Sequence, residues 1–117
     1  MGTFTVSIQI GDLAGEQFLD ITALVDTGTT YAALPGSILT RLGVRQEGYR
    51  RFELADDRIV QYPVGHARIR LEGQESIALV VFAPEDTDPL LGATVLELFS
   101  LGVDPVHRRL IPVPALL

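Results

Sequence analysis

Apolar and polar residues alternate along most of this chain with the period of two that a half-buried β-strand imposes. Phe4, Val6, Ile8 and Ile10 alternate with Thr3, Thr5, Ser7 and Gln9, and Gly11-Asp12 then turns the chain. Residues 18–25 predict a second strand, more continuously apolar near its end as a central strand would be. A short strand over 31–34 stops at Pro35-Gly36, and 37–42 allows one or two helical turns between Ser37 as N-cap and Gly43 as stop. Residues 52–54 and 59–62 flank Ala55-Asp56-Asp57-Arg58, a polar stretch of hairpin-turn character. Ala67, Ile69 and Leu71 then alternate with His66, Arg68, Arg70 and Glu72, and Gly73-Gln74 turns into a strand over 77–82. A polar, acidic loop over 83–89 leads to Leu90-Leu91-Gly92 and to the best helical segment, 93–99, whose Val95, Leu96 and Phe99 fall at helical spacing. Residues 101–103 and 110–113 pair as a terminal hairpin around Asp104-Pro105. Many short strands with closely spaced turns predict an all-β fold, a small sandwich or closed barrel.

Composition narrows the class. The 117 residues are 47% hydrophobic and contain no internal repeat or linker, so residues 1–117 read as one domain. Mean hydropathy of +0.30 is high for a soluble chain and suits a small domain that buries a second apolar surface in a dimer. The apolar runs are too short to span a bilayer. Met1-Gly2-Thr3-Phe4 lacks the basic and apolar regions of a signal peptide, and Val6 stands where a myristoylation signal needs Ser or Thr. A cytoplasmic location is therefore expected. The absence of cysteine excludes disulfides, thiolate catalysis and cysteine-based metal sites. A net charge of −6 argues against nucleic acid as a partner.

The candidate chemistry lies in Asp26-Thr27-Gly28, which the apolar run 21–25 leads into. Peptide hydrolysis without a metal or a covalent nucleophile needs a base for the water and an acid for the carbonyl oxygen or leaving amine. Two carboxyls a few ångströms apart supply both, because like charges cannot both ionise and one proton is shared. The chain has one such triplet, so a carboxylate pair requires two chains. Gly28 lets the backbone approach a partner loop, Thr27 offers a hydroxyl across a symmetric interface, and Thr29 is placed to donate to the carboxylate and favour its ionised form.

The segment Ala23-Leu24-Val25-Asp26-Thr27-Gly28-Thr29 resembles the active-site segment of retropepsin-like aspartic proteases, the single-lobe homodimeric relatives of pepsin. A second signature of that family, two apolar residues and a glycine leading into a short helix, is matched by Leu90, Leu91 and Gly92. The resemblance extends over nearly the whole chain. It implies a small closed β-barrel of the acid-protease type with one short C-terminal helix. It also implies Asp26 as catalytic carboxylate, with Thr27, Gly28 and Thr29 supporting the loop. Ala55, Asp56, Asp57 and Arg58 would be the flap, and residues 110–113 would build dimer contacts. No metal or other cofactor is implied; the partners are a second copy and a peptide or protein substrate. Two departures stand out. Viral members pair an acidic residue after the triplet loop with an arginine after the second-signature glycine, and here those places hold Thr30, Tyr31 and Ala93. The flap candidate is acidic rather than glycine-rich. The pattern looks closer to cellular and bacterial members.

Plainer readings compete at each point. Asp-Thr-Gly alone is an ordinary turn composition. His66 on a polar strand face and His107 beside Arg108-Arg109 read as surface residues. The Asp56-Asp57 and Glu85-Asp86-Asp88 stretches lack calcium-loop spacing, Ser37, Ser76 and Ser100 lack a neighbouring base, and Gly11 and Gly15 lack the rest of a phosphate loop. Two rivals to proteolysis keep the same fold: a silent dimer that binds extended peptides, and a module that only dimerises.

Overall fold

A computed structural model describes residues 4–117. Met1, Gly2 and the strand position expected of Thr3 lie outside the described residues. The elements run β1 (Phe4–Gly11), β2 (Phe18–Val25), β3 (Ala32–Pro35), α1 (Gly36–Arg41), β4 (Gly48–Glu53), β5 (Ile59–Leu71), β6 (Gln74–Ala83), β7 (Leu90–Leu91), α2 (Ala93–Leu98), β8 (Leu101–Asp104) and β9 (Arg109–Pro112). The fold is all-β, as the alternation predicts. Seven strands form one sheet in the order β1-β2-β7-β3-β6-β5-β4, and β8 pairs with β9 separately. β1 also pairs with β5, Ile10 opposite Ile69, so the pairings run in a circuit through six strands. Inside it Ile8, Ile10, Ala67, Ile69 and Val80 are buried with Leu39 of α1, Val95 of α2 and Phe99. On the other face of the β1–β5 seam the guanidinium of Arg70 lies 3.5 Å over the ring of Phe18.

The helical turns expected over 37–42 form α1, so there are two short helices among the described residues where the resemblance implied one. Three local details differ from the sequence reading. Ser37 does not cap α1; Pro35 holds the N-cap position, and both the hydroxyl and the backbone N–H of Ser37 donate to the Glu85 carboxylate. Gly43 does stop α1, at φ +83°. The hairpin between β5 and β6 turns on Glu72 and Gly73, at φ 51° and 76°, the left-handed pair a two-residue hairpin requires. Finally, 59–62 and 67–71 belong to one thirteen-residue strand, β5. Pro63-Val64-Gly65 looks like a break but marks a change of partner: Val64 pairs with Gly48 on one side and Val81 on the other. Gly65 is needed there because the Arg45 carbonyl passes 2.1 Å from where a Cβ would stand.

The Ser37 contacts, the hydroxyl foremost, hold the Glu85 carboxyl below the usual carboxylate range. Stability from such a group is present above its unfolded value and disappears as pH falls through the lowered folded value. Ser37→Ala should therefore melt lower than wild type at neutral pH and converge with it below about pH 4. Parallel thermal melts across pH check this, and a constant gap down to about pH 3 would overturn it.

Candidate active site

β2 runs between β1, antiparallel, and β7, parallel, with Leu24 opposite Leu90 and Val25 opposite Leu91. An interior strand with partners on both sides is a rigid platform, and the next residue is Asp26. Its N–H extends the ladder by donating to the Leu91 carbonyl at 2.9 Å. The chain then turns, and the Thr29 N–H donates back to the Asp26 carbonyl at 3.1 Å. Both carboxylate oxygens are engaged within this turn. Oδ1 accepts from the Gly28 N–H at 2.9 Å, and Oδ2 accepts from the Thr29 hydroxyl at 3.2 Å. Asp26 and Thr29 are half-buried, while Thr27 and Gly28 face outward. Thr27 makes no side-chain hydrogen bond among the described residues.

The second signature closes on the first. The N–H groups of Ala93 and Thr94 open α2 by donating to the carbonyls of Thr29, at 2.8 Å, and Thr30, at 3.0 Å. Helix-terminal donors that lack an intrahelical partner are thus satisfied by the active-site loop. The Thr94 hydroxyl adds a 2.6 Å bond to the Thr30 carbonyl. These bonds tie the loop at Thr29 and Thr30 to the start of α2 at Ala93 and Thr94. Gly92 permits the approach: a Cβ there would stand 2.4 Å from the Thr29 carbonyl oxygen and 2.5 Å from that of Tyr31.

A cleft of about 1090 Å³ opens beside the loop, lined on one side by Gly28, Thr29, Thr30 and Tyr31 and on the other by the β4–β5 hairpin. Of the expected flap residues only Ala55 lines it; Asp56, Asp57 and Arg58 form the turn beyond. That turn is braced by the Arg58–Asp56 ion pair at 2.7 Å and by mutual backbone bonds of Leu54, Asp57 and Arg58. Asp57 stands at φ 68°, a left-handed conformation that glycine accepts and β-branched residues resist. Asp57→Val should cost about 1–2 kcal/mol and lower Tm by several degrees, whereas Asp57→Gly should not. Equal melting of the two variants would contradict the assignment.

Sequence reasoning did not find the aromatic wall. Tyr31 packs edge-on against Phe52 of β4, centroids 6.2 Å apart, and Phe52 packs on Tyr62 of β5 at 5.9 Å. The Tyr31 hydroxyl accepts a 2.6 Å hydrogen bond from Arg50 Nη1. The available signal was the aromatics at Phe52 and Tyr62 flanking one predicted turn. The two histidines pair with carboxylates away from the loop, half-buried His66 with Glu47 and exposed His107 with Asp104.

A family model described as gag-polyprotein putative aspartyl protease matches residues 11–97, which includes both signatures. The chain belongs to this retropepsin-like family. Solved structures agree at the level of the fold. A retropepsin-like aspartic protease from Rickettsia conorii superposes with TM-score 0.58 at 21% identity, covering 88% of each chain. The simian foamy virus protease gives TM-score 0.58 at 18% identity, covering 82% of this chain and 94% of its own. A Legionella pneumophila protein of unknown function gives 0.57 at 15%, covering 92% of each. No curated protein matches the sequence significantly. No helix among the described residues is long and apolar enough to cross a membrane. The retropepsin-like assignment gives the chain an aspartic-protease framework in which Asp26 occupies the loop joined to the Leu-Leu-Gly segment.

Proposed function

We propose that this chain is an aspartic endopeptidase that works as a homodimer, with one Asp26 from each copy. The observation that carries the reading is the Asp26 carboxylate held by Gly28 and Thr29 at the end of an interior strand, next to a cleft. In such a pair one carboxylate takes a proton from water as the oxygen attacks the peptide carbonyl. The other, protonated, donates to the carbonyl oxygen. The tetrahedral intermediate collapses when its nitrogen is protonated and the C–N bond breaks. Thr27, exposed and without a side-chain partner among the described residues, suits a bond across the two loops. Val106, Val113 and Leu116 of the terminal segment are exposed apolar side chains of the kind a second copy would cover. The β4–β5 hairpin, with Ala55 in the cleft wall, is the flap in this reading, and an extended peptide would lie beneath it.

The test is cleavage of a diverse peptide mixture, read by mass spectrometry from about pH 3 to about pH 7. It is paired with sedimentation, where a monomer at all working concentrations would remove the second carboxylate and the mechanism with it. A folded dimer that binds peptides without cutting them would make the chain a silent peptide-binding member of the family. One that neither binds nor cuts would be a dimerisation module.

A further inference from the structure

The cleft carries a charge that the rest of the molecule does not explain. The chain is acidic, with 15 Asp and Glu against 9 basic residues, all arginine. Carboxylates are therefore plentiful, and Arg58, Arg68, Arg70 and Arg109 each lie within ion-pair distance of one. Arg50 lines the cleft and has no carboxylate partner among the described residues. Its position is nonetheless defined. Nη1 donates to the Tyr31 hydroxyl at 2.6 Å, and the guanidinium carbon lies 5.4 Å from the centre of the Tyr31 ring. A guanidinium has five N–H donors, so this anchor leaves the others for an incoming acceptor. An arginine held in place by one bond loses less rotamer freedom when it binds a second group. Arg51 and Glu53 also line the cleft, two residues apart and so on one side of the strand, with opposite charges. Arg50 instead shares its side with Phe52, and both meet Tyr31.

We infer that the cleft selects extended peptides in which an aspartate or glutamate lies two residues from an apolar residue, the carboxylate on Arg50 and the apolar side chain against Phe52, Tyr62 and Leu90. The inference rests on the cleft being the peptide site but not on turnover, and the experiment keeps the two apart. Asp26→Asn protein is immobilised and offered a random synthetic heptapeptide library at about pH 6, where side-chain carboxylates are ionised. Bound peptides are read by mass spectrometry. Asp and Glu should be enriched about five- to tenfold over Asn and Gln two residues from an apolar residue. Adding Arg50→Gln should erase that enrichment and keep the apolar preference, and Arg50→Lys should retain part of it. Equal retention of acidic and amide peptides overturns the inference, as does enrichment that survives Arg50→Gln, or no peptide binding by folded protein. Wild type on the same library reports separately. Cleavage without acidic preference sinks this inference and leaves the protease; acidic enrichment without cleavage does the reverse.

Discussion

In the proposed homodimeric peptidase, replacing Asp26 by Asn should remove peptide cleavage, lowering kcat by on the order of 10²–10⁴-fold while leaving the fold and the association of the two copies intact. The size follows from the chemistry. The amide cannot accept the proton from water, and in a symmetric dimer one substitution alters both members of the pair. The shape of the site also explains why the variant should fold. Asn keeps an oxygen for the Gly28 N–H, which bonds Oδ1 at 2.9 Å, so the turn retains that brace. The Asp26 backbone bond to Leu91 does not involve the side chain. The measurement is kcat/KM on a peptide cut by wild type, with sedimentation of both proteins. Residual cleavage within about tenfold of wild type would remove Asp26 from the mechanism.

Replacing Gly92 by Ala should be severely damaging. A Cβ would stand 2.4 Å from the Thr29 carbonyl oxygen, 2.5 Å from that of Tyr31 and 2.7 Å from the Thr30 carbonyl carbon. All three are backbone atoms of the active-site loop, so no flexible side chain can swing aside. Separating the segments would break the bonds from Ala93 and Thr94 to Thr29 and Thr30. A cost of about 3 kcal/mol is expected, or a fall in Tm of roughly 12–24 °C. Gly48→Ala is the control, because nothing lies within 4 Å of a Cβ there. The Gly92→Ala protein should also lose activity beyond its unfolded fraction, since the loop that carries Asp26 must shift. Melting within a few degrees of wild type would show that the two signatures are not locked together as described.

The strands were legible because each buries one face. Alternation placed Phe4–Gly11 and Phe18–Val25 within a residue of their observed bounds, and the polar 55–58 stretch did mark the turn between β4 and β5. The Asp26 turn was legible for a different reason: Asp26 to Thr29 is a local unit whose bonds span two or three residues. Misreadings arose where a local preference met a distant partner. Ser37 has the composition of an N-cap, but the Glu85 carboxylate, 48 residues away, takes both its donors. Pro63 and Gly65 suggest a break, but pairing with β4 on one side and β6 on the other keeps the strand continuous.

By itself, then, the sequence marked most of the strands, showed that Asp26 ends one of them on a tight turn, and showed that dyad chemistry from a single triplet needs a second chain. These follow from periodicity, turn composition and a count, all readable along one chain. Only the tertiary structure decided that Gly92 lies against the loop 61 to 63 residues before it, that the Thr94 hydroxyl bonds the Thr30 carbonyl, and that Tyr31, Phe52 and Arg50 meet at the cleft. Such contacts depend on where the circuit of strands brings distant backbone together, and no local pattern encodes that distance.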